Sequence, residues 1–127
     1  MNLLYKNSKN VQELYPKDFK VSNLNSSPKL NKKMPHLTIY YAHWCPHCHS
    51  PEMIEFVEAL GQSLPKKAGI NVNAFNCEYN NSHQEIAQNM DISGFPTIRY
   101  TNSNGKMNDY MGPREVEPLI LFLIKNS

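Results

Sequence analysis

The alternation of apolar and polar side chains along the chain predicts a series of strands and helices. Residues 36–41 form a near-continuous β-prone run that includes Leu37 and Ile39, which is typical of a strand buried on both faces. From residue 48 to residue 64 the period changes, because the apolar side chains recur at the spacing of one helical face. These apolar positions are Met53, Phe56, Val57, Leu60 and Leu64.

The second half of the chain shows the same change of period. Residues 70–75 alternate with asparagine as a strand does, and residues 82–90 carry apolar side chains at helical spacing. Residues 97–101 and 106–111 flank a polar turn that contains glycine, which is the pattern of a β-hairpin. The apolar positions of the predicted helix are Ile86, Ala87 and Met90.

The two ends of the chain are less regular. Residues 1–10 are predicted to be a flexible N-terminus, residues 11–15 a short strand and residues 23–35 a loop. Pro16 can open a brief helical turn, because proline is tolerated in the first turn of a helix. A last helix is predicted to begin near Pro113 and to cover one face of the sheet. Its apolar positions are Val116, Leu119, Ile120, Leu123 and Ile124.

This order of elements predicts an α/β fold, with a central mixed β-sheet flanked by helices on both faces. The chain of 127 residues, 40% of them hydrophobic, suits one domain over residues 1–127. A net charge of +2 with dispersed basic residues gives no reason to expect nucleic-acid binding. No apolar run approaches the ~20 residues that span a bilayer, and neither end resembles a targeting signal, so we expect a cytoplasmic protein.

The motif with the clearest chemistry is Trp44-Cys45-Pro46-His47-Cys48, where the predicted strand gives way to the helix. Two cysteines three positions apart at a helix start can bring their sulfurs within disulfide reach, with Cys45 more exposed and Cys48 turned inward. Free backbone N–H groups there favour the Cys45 thiolate, and His47 adds a hydrogen-bond donor. A stable thiolate makes the disulfide more oxidising, so the Pro46-His47 dipeptide favours an oxidant.

The same residues fit two other kinds of site. Cys45 to His49 satisfies the C-x-x-C-H pattern of c-type haem attachment, and its thiolates and imidazoles could bind zinc or copper. Haem needs an oxidising compartment and room for a large planar group, whereas this motif runs directly into an amphipathic helix. We therefore expect no cofactor and no metal, and keep a metal-binding CxxC protein as an alternative. Cys77, with no second cysteine near it, is predicted to be a small buried side chain.

Several separated segments together resemble the thioredoxin superfamily, specifically the catalytic domain of protein disulfide isomerases. The resemblance extends over about residues 11–126 and keeps the family's order and spacing. It implies the thioredoxin fold, a redox-active Cys45–Cys48 disulfide, and an enzyme that forms, reduces or isomerises disulfides in proteins. The segments are Val11-Gln-Glu-Leu with Phe19, Tyr40-Tyr-Ala-His-Trp-Cys-Pro-His-Cys48, Asn76-Cys77, Ser93-Gly-Phe-Pro-Thr97 and Tyr110-Met-Gly-Pro-Arg-Glu115.

The resemblance also implies roles for residues around the dithiol. The Phe95–Pro96 bond should be cis and lie against the dithiol, with Phe95 presenting backbone groups to a substrate peptide. From its position after the strand, Trp44 is expected to shield the disulfide, although a core side chain explains it equally well. Arg114 matches an arginine that can move toward the second cysteine, Cys48, and lower its pKa. The implied partners are protein or peptide thiols and disulfides, and an unidentified recycling reductase or oxidase. A peptide-binding or chaperone module that uses the groove around Phe95 is the other alternative.

Two departures from the family pattern concern proton transfer. The family usually carries a buried acid six residues before the first cysteine and a lysine on the next strand, where this chain has Ile39 and Ala74. The absence of both the acid and the lysine is physically reasonable, because losing only one of them would leave a buried charge unpaired. Without this pair, resolution by Cys48 is expected to be slower. The remaining candidates for handling its proton are His43, His47, His49, Arg114 and water.

Overall fold

The computed structural model describes residues 2–20 and 28–127, which form a central sheet with helices on both faces. A 3₁₀ turn over Pro16–Asp18 confirms the turn expected at that proline. The helices of the described residues are α1 (Pro46–His49), α2 (Pro51–Ala68), α3 (Asn81–Asn89) and α4 (Val116–Lys125). The strands are β1 (Gln12–Glu13), β2 (Phe19–Lys20), β3 (Lys29–Leu30), β4 (His36–Tyr41), β5 (Asn71–Asn76), β6 (Thr97–Thr101) and β7 (Met107–Tyr110).

The main sheet has five strands in the order β1-β5-β4-β6-β7. Strands β1, β5 and β4 run parallel, and β6 and β7 are antiparallel additions that form the predicted hairpin. All six side chains of β4 are buried, as its uninterrupted β-prone run predicts. The mixed sheet and the thioredoxin fold are therefore confirmed. A separate antiparallel pair joins β2 to β3.

The sheet divides the hydrophobic core into two layers. The dithiol layer contains Cys45 and Cys48 and packs beneath α2 and α4, whose Leu60 and Leu119 are fully buried. The opposite layer packs beneath α3 and consists of Leu14, Phe19, Tyr40, Phe75, Cys77, Ala87 and Met90.

Helix α2 follows the predicted amphipathic pattern. The side chain of Ser50 accepts a hydrogen bond from the Met53 N–H and so caps the start of the helix, which relieves one of its unpaired donors. Gly69 ends the helix with φ of 65°, a left-handed conformation that glycine adopts without steric cost. The five predicted apolar positions all face the dithiol layer.

The N-terminal segment is packed, contrary to the expectation of a flexible terminus. Tyr5 is only 2% exposed, and the Leu4 N–H donates a hydrogen bond of 2.9 Å to the Tyr41 hydroxyl. The backbone of Asn10 lies so close to α2 that a Cβ on Gly61 would come within 2.8 Å of the Asn10 carbonyl carbon. The mostly polar composition of residues 1–10 concealed this packing, in which Tyr5 is buried and Leu4 packs against the core.

Two further expectations need correction. Part of the predicted loop, residues 23–27, lies outside the described residues, and Lys29–Leu30 forms a strand rather than loop. The last helix begins at Val116, three residues after Pro113, and Ile124 is 69% exposed, so it does not cover the sheet. The apolar pattern of a helix does not show how far the sheet beneath it extends.

Candidate active site

The two cysteines lie where β4 ends and α1 begins. The Cys45 N–H donates a hydrogen bond of 3.1 Å to the Ala42 carbonyl, and Cys45 is the N-terminal cap residue of α1. One turn later, the Cys48 N–H donates a hydrogen bond of 3.0 Å to the Cys45 carbonyl. Both thiols are free, with exposed fractions of 7% for Cys45 and 1% for Cys48. The first cysteine is thus nearer the surface, as expected.

The Cys48 thiol is held in its protonated form by its surroundings. Burial, with a smaller contribution from the neighbouring Cys45 thiol, raises its pKa to about 12. The Ala42 backbone N–H and, more weakly, the Arg114 charge oppose this change. Because the neutral thiol is a poor nucleophile, Cys48 has to lose its proton before it can attack another sulfur.

The loop between α3 and β6 places Phe95 and Pro96 beside the first cysteine. The Phe95–Pro96 bond is cis, as the resemblance implied. The Cys45 thiol donates a weak hydrogen bond of 3.8 Å to the Phe95 carbonyl. Trp44 is 57% exposed, and its ring meets the Phe95 ring edge to face at 6.0 Å. An accessible aromatic surface therefore adjoins the nearer-surface thiol.

The histidines near the motif have different environments. His47 is exposed, as are Pro46 before it and His49 after it. His43 is partly buried, and its Nδ1 accepts a hydrogen bond of 3.0 Å from the Asn76 side-chain amide. Arg114 is exposed, yet its charge reaches the second cysteine, as the pKa of that thiol shows.

Glu13 is a buried acid that the sequence analysis did not single out. It is 7% exposed, and its Oε1 accepts hydrogen bonds from the Tyr41 hydroxyl at 2.7 Å and the Tyr5 N–H at 3.0 Å. Burial raises the pKa of this carboxyl to about 7, although these donors oppose the effect. The available signal was the order of Val11, Gln12 and Glu13 in a predicted strand. Side chains alternate in direction along a strand, so Glu13 points to the same side as the apolar Val11.

The remaining cysteine and the wider molecule add little to the site. Cys77 is fully buried with its thiol 3.8 Å from the Phe75 carbonyl, so it is a core side chain as predicted. Within residues 2–20 and 28–127, no three His, Cys, Asp or Glu side chains are grouped so that they could hold a metal ion. Across the same residues, no helix has the length and apolar character needed to cross a membrane.

Known proteins of similar sequence are protein disulfide isomerases. The chain is 30% identical over 121 residues to protein disulfide isomerase-like 1-1 of Arabidopsis thaliana, a match that covers 91% of the chain and 23% of that protein. It is 36% identical over 91 residues to a protein disulfide-isomerase of Medicago sativa, covering 69% of the chain and 17% of the relative. The chain thus spans about a quarter or less of the length of these relatives.

Solved structures of similar shape are thioredoxin domains. The J-Trx1 fragment of ERdj5 gives a TM-score of 0.69 at 15% identity, over 97% of this chain and 54% of that fragment. The first thioredoxin domain of mouse protein disulfide-isomerase A4 gives 0.60 at 27% identity, over 74% of this chain and 64% of that one. The thioredoxin family model matches residues 6–125. The chain therefore belongs to the thioredoxin family.

Proposed function

We propose that the protein is a thiol–disulfide oxidoreductase that acts on protein substrates through Cys45 and Cys48. The observation that carries the proposal is the pairing of a nearer-surface thiol, beside the Phe95 carbonyl, with a fully buried thiol one helical turn later. This arrangement lets a substrate sulfur reach only one member of the pair. The similarity to protein disulfide isomerases supports the same activity.

In the oxidative direction, a substrate thiolate attacks the sulfur of Cys45 in the enzyme disulfide. The Cys45–Cys48 bond breaks, and Cys48 leaves as a thiolate that takes up a proton. A second substrate thiolate then attacks the substrate sulfur of the mixed disulfide, and Cys45 leaves as a thiolate. The substrate loses two electrons and gains a disulfide, and the enzyme dithiol holds those two electrons.

In the reductive direction, the Cys45 thiolate attacks a substrate disulfide and forms a mixed disulfide. Cys48 then loses its proton and attacks the Cys45 sulfur, which releases the substrate as a thiol. The proton of Cys48 must be accepted by a nearby group in this step. Isomerisation combines the two directions without net transfer of electrons.

The neighbouring residues are assigned supporting roles. Phe95, Pro96 and Trp44 form the surface that a substrate peptide meets beside the thiol, because the Phe95 carbonyl contacts the thiol, Phe95 and Pro96 are partly exposed, and the Trp44 ring is exposed against Phe95. His47, with Pro46 before it, adjusts the reduction potential of the dithiol. Arg114 favours the thiolate of the second cysteine. Protein or peptide thiols and disulfides are the substrates, and a recycling reductase or oxidase sets the direction.

Insulin reduction and the refolding of a scrambled disulfide protein test this function. The wild type should support both reactions, the Cys45→Ser variant neither, and the Cys77→Ala variant both, since Cys77 has no second thiol beside it. Full turnover by Cys45→Ser would refute the proposal. Peptide binding without any turnover by the wild type would instead favour the chaperone alternative.

The direction of catalysis is tested by the reduction potential of the Cys45–Cys48 couple, measured against glutathione. A potential near that of periplasmic oxidases, about −120 mV, would support disulfide donation, and one near about −270 mV would support reduction. Replacement of His47 by glutamine should lower the potential if its charge stabilises the reduced form. An unchanged potential would remove His47 from the mechanism.

A further inference from the structure

Glu13 is the only buried acidic side chain among residues 2–20 and 28–127. It lies in the register row Glu13–Ala74–Ile39 that crosses the three parallel strands. Side chains aligned in this way share one face of the sheet, and Ala74 and Ile39 belong to the dithiol layer with Cys48. The carboxyl is therefore on the same side of the sheet as the two reactive thiols.

Two polar atoms near this carboxyl are buried without a protein partner. They are Oε2 of Glu13 and the hydroxyl of Tyr5, whereas the other carboxyl oxygen holds two hydrogen bonds. A buried polar atom without a partner destabilises a protein, so a position that keeps two of them invites a functional explanation. An unengaged carboxylate oxygen is free to accept a proton.

Tyr5 connects the carboxyl to the dithiol electrostatically. Burial makes the largest contribution to raising the pKa of its hydroxyl, and the negative charges of Glu58, Glu13 and Cys48 raise it further. The charges of the carboxyl and of the second thiol thus both oppose ionisation of the Tyr5 hydroxyl. Its ring packs edge to face on Tyr41 at 5.8 Å. Its backbone N–H donates to Oε1 of Glu13 at 3.0 Å, and its side chain belongs to the same core layer as Cys48.

We propose that Glu13 is the internal proton acceptor for Cys48, acting through the hydroxyl of Tyr5, in the resolving step of the function proposed above. The Cys48 proton reaches the Tyr5 oxygen through bridging water, and the hydroxyl proton of Tyr5 passes in the same way to Oε2 of Glu13, because neither oxygen has a protein partner within hydrogen-bond distance. The Cys48 thiolate then attacks Cys45, and the substrate leaves as a thiolate. In the oxidative direction the same proton returns from Glu13 to the Cys48 thiolate.

The charged and titratable groups that face this pathway come from several parts of the fold. Tyr41 on β4 donates to the carboxyl, Tyr5 is on the N-terminal segment, and Glu58 on α2 lies near the Tyr5 hydroxyl. Cys48 on α1 is also within reach of the Arg114 charge. Glu58 is itself occupied, because the hydroxyl of Ser8 donates to it at 2.9 Å. Because Glu58 is only half-buried and lies outside the Glu13–Ala74–Ile39 row, it serves as the control carboxyl near the same hydroxyl.

The acidity of Glu13 suits this role at neutral pH. Its pKa of about 7 means that the carboxylate becomes available as the pH rises through that value. The rate of the Cys48-dependent step should rise through an inflection near pH 7 as Glu13 ionises. A step that depended only on direct ionisation of Cys48 would rise at far higher pH, because the pKa of that thiol is about 12.

The test is a single-turnover measurement of the release of a fluorescent peptide held on Cys45 as a mixed disulfide. In Glu13→Gln, the amide oxygen can keep the hydrogen bonds from Tyr41 and Tyr5, but the side chain cannot accept the proton. Release should slow by on the order of tenfold to a hundredfold above pH 7, with loss of the inflection. The matched control Glu58→Gln should keep the wild-type rate and inflection.

A second variant keeps the test decisive if Glu13→Gln does not fold. Tyr5→Phe retains the packed ring and removes only the relaying hydroxyl, so it should slow release in the same way. Wild-type rates in these variants, or an inflection that persists, would overturn the inference. Failure of the wild type to form any mixed disulfide at Cys45 would instead overturn the proposed function, so the two failures are distinguishable.

Discussion

The two core layers on either side of the sheet each contain a buried cysteine and a buried titratable side chain, but they use them differently. In the dithiol layer, Cys48 lies beside a second thiol, and Glu13 has one oxygen without a partner. On the opposite side, Cys77 has no second thiol beside it. His83 stacks on Phe75 at 4.9 Å, and its Nδ1–H donates a hydrogen bond of 2.8 Å to a backbone carbonyl.

Burial alone therefore does not make a cysteine reactive. It raises the pKa of both Cys48 and Cys77, which makes each a poorer nucleophile at neutral pH. The difference is in the neighbours, because Cys48 has a thiol partner one turn away and a carboxyl on the same sheet face. Each thiol has a cation within reach, Arg114 for Cys48 and Arg99 for Cys77, so the cation does not distinguish them. The comparison predicts that equivalent changes on the two sides have unequal effects.

The largest difference between the two layers should appear when the buried cysteine of each is replaced by alanine. Cys48→Ala should lower insulin-reducing turnover by about a hundredfold or more and accumulate mixed disulfides on Cys45, because the resolving nucleophile is gone. Cys77→Ala should keep turnover and lose about 1 kcal/mol of unfolding free energy, from the small cavity it leaves. Activity assays with non-reducing gels measure both outcomes. Equal losses of turnover would abolish the distinction between the layers.

Glu13 should give the dithiol layer a pH dependence of stability. The pKa of its carboxyl is raised from 4.5 to about 7 on folding, so the folded state keeps a proton that the unfolded state has lost between these values. Stability should fall by about 3 kcal/mol as the pH rises through this range and then level off. Chemical denaturation should show that Glu13→Gln lacks this decline. A parallel decline in the variant would assign it to other groups.

His83, one of two buried histidines among the described residues, should act in the opposite sense. Burial lowers the pKa of His83 below its ordinary value of 6.5, so the unfolded state binds a proton that the folded state resists. Its contribution to stability is therefore present above pH 6.5 and is lost as the pH falls below that value. His83→Gln should remove this acid sensitivity while leaving the decline due to Glu13. The effect should be smaller than that of Glu13, and identical acid curves for variant and wild type would exclude it.

The sequence predicted the elements whose burial follows from local periodicity. The predicted strand at residues 36–41 matches β4, and the buried face of α2 matches the predicted apolar positions, because a strand buried on both faces and an amphipathic helix carry strong repeating patterns. The dithiol and the Phe95–Pro96 bond were predicted from motif and resemblance, and the structure places them together.

The parts that escaped prediction depend on contacts between distant residues. Tyr5 and Tyr41 are 36 positions apart, and no local pattern shows that they meet around Glu13. A lone acid in a two-residue strand is equally compatible with solvent exposure until the neighbouring strand and the N-terminal segment are placed. Ile124 shows the opposite error, an apolar side chain that was expected to be buried and is exposed. Helical periodicity places it on the apolar face of the helix but does not show that this face extends beyond the sheet.

Arg114 should give the smallest effect, because it acts on the buried thiol from an exposed position. Its charge makes the weakest contribution to the pKa of Cys48, and solvent and salt screen it. Arg114→Gln should slow mixed-disulfide release by about two- to threefold at low ionic strength, and added salt should erase the difference. Arg114→Lys keeps the charge and should retain most of the rate. A loss that is insensitive to salt and unrelieved by lysine would mean that the guanidinium contacts the substrate directly, because a purely electrostatic effect on Cys48 depends only on the charge.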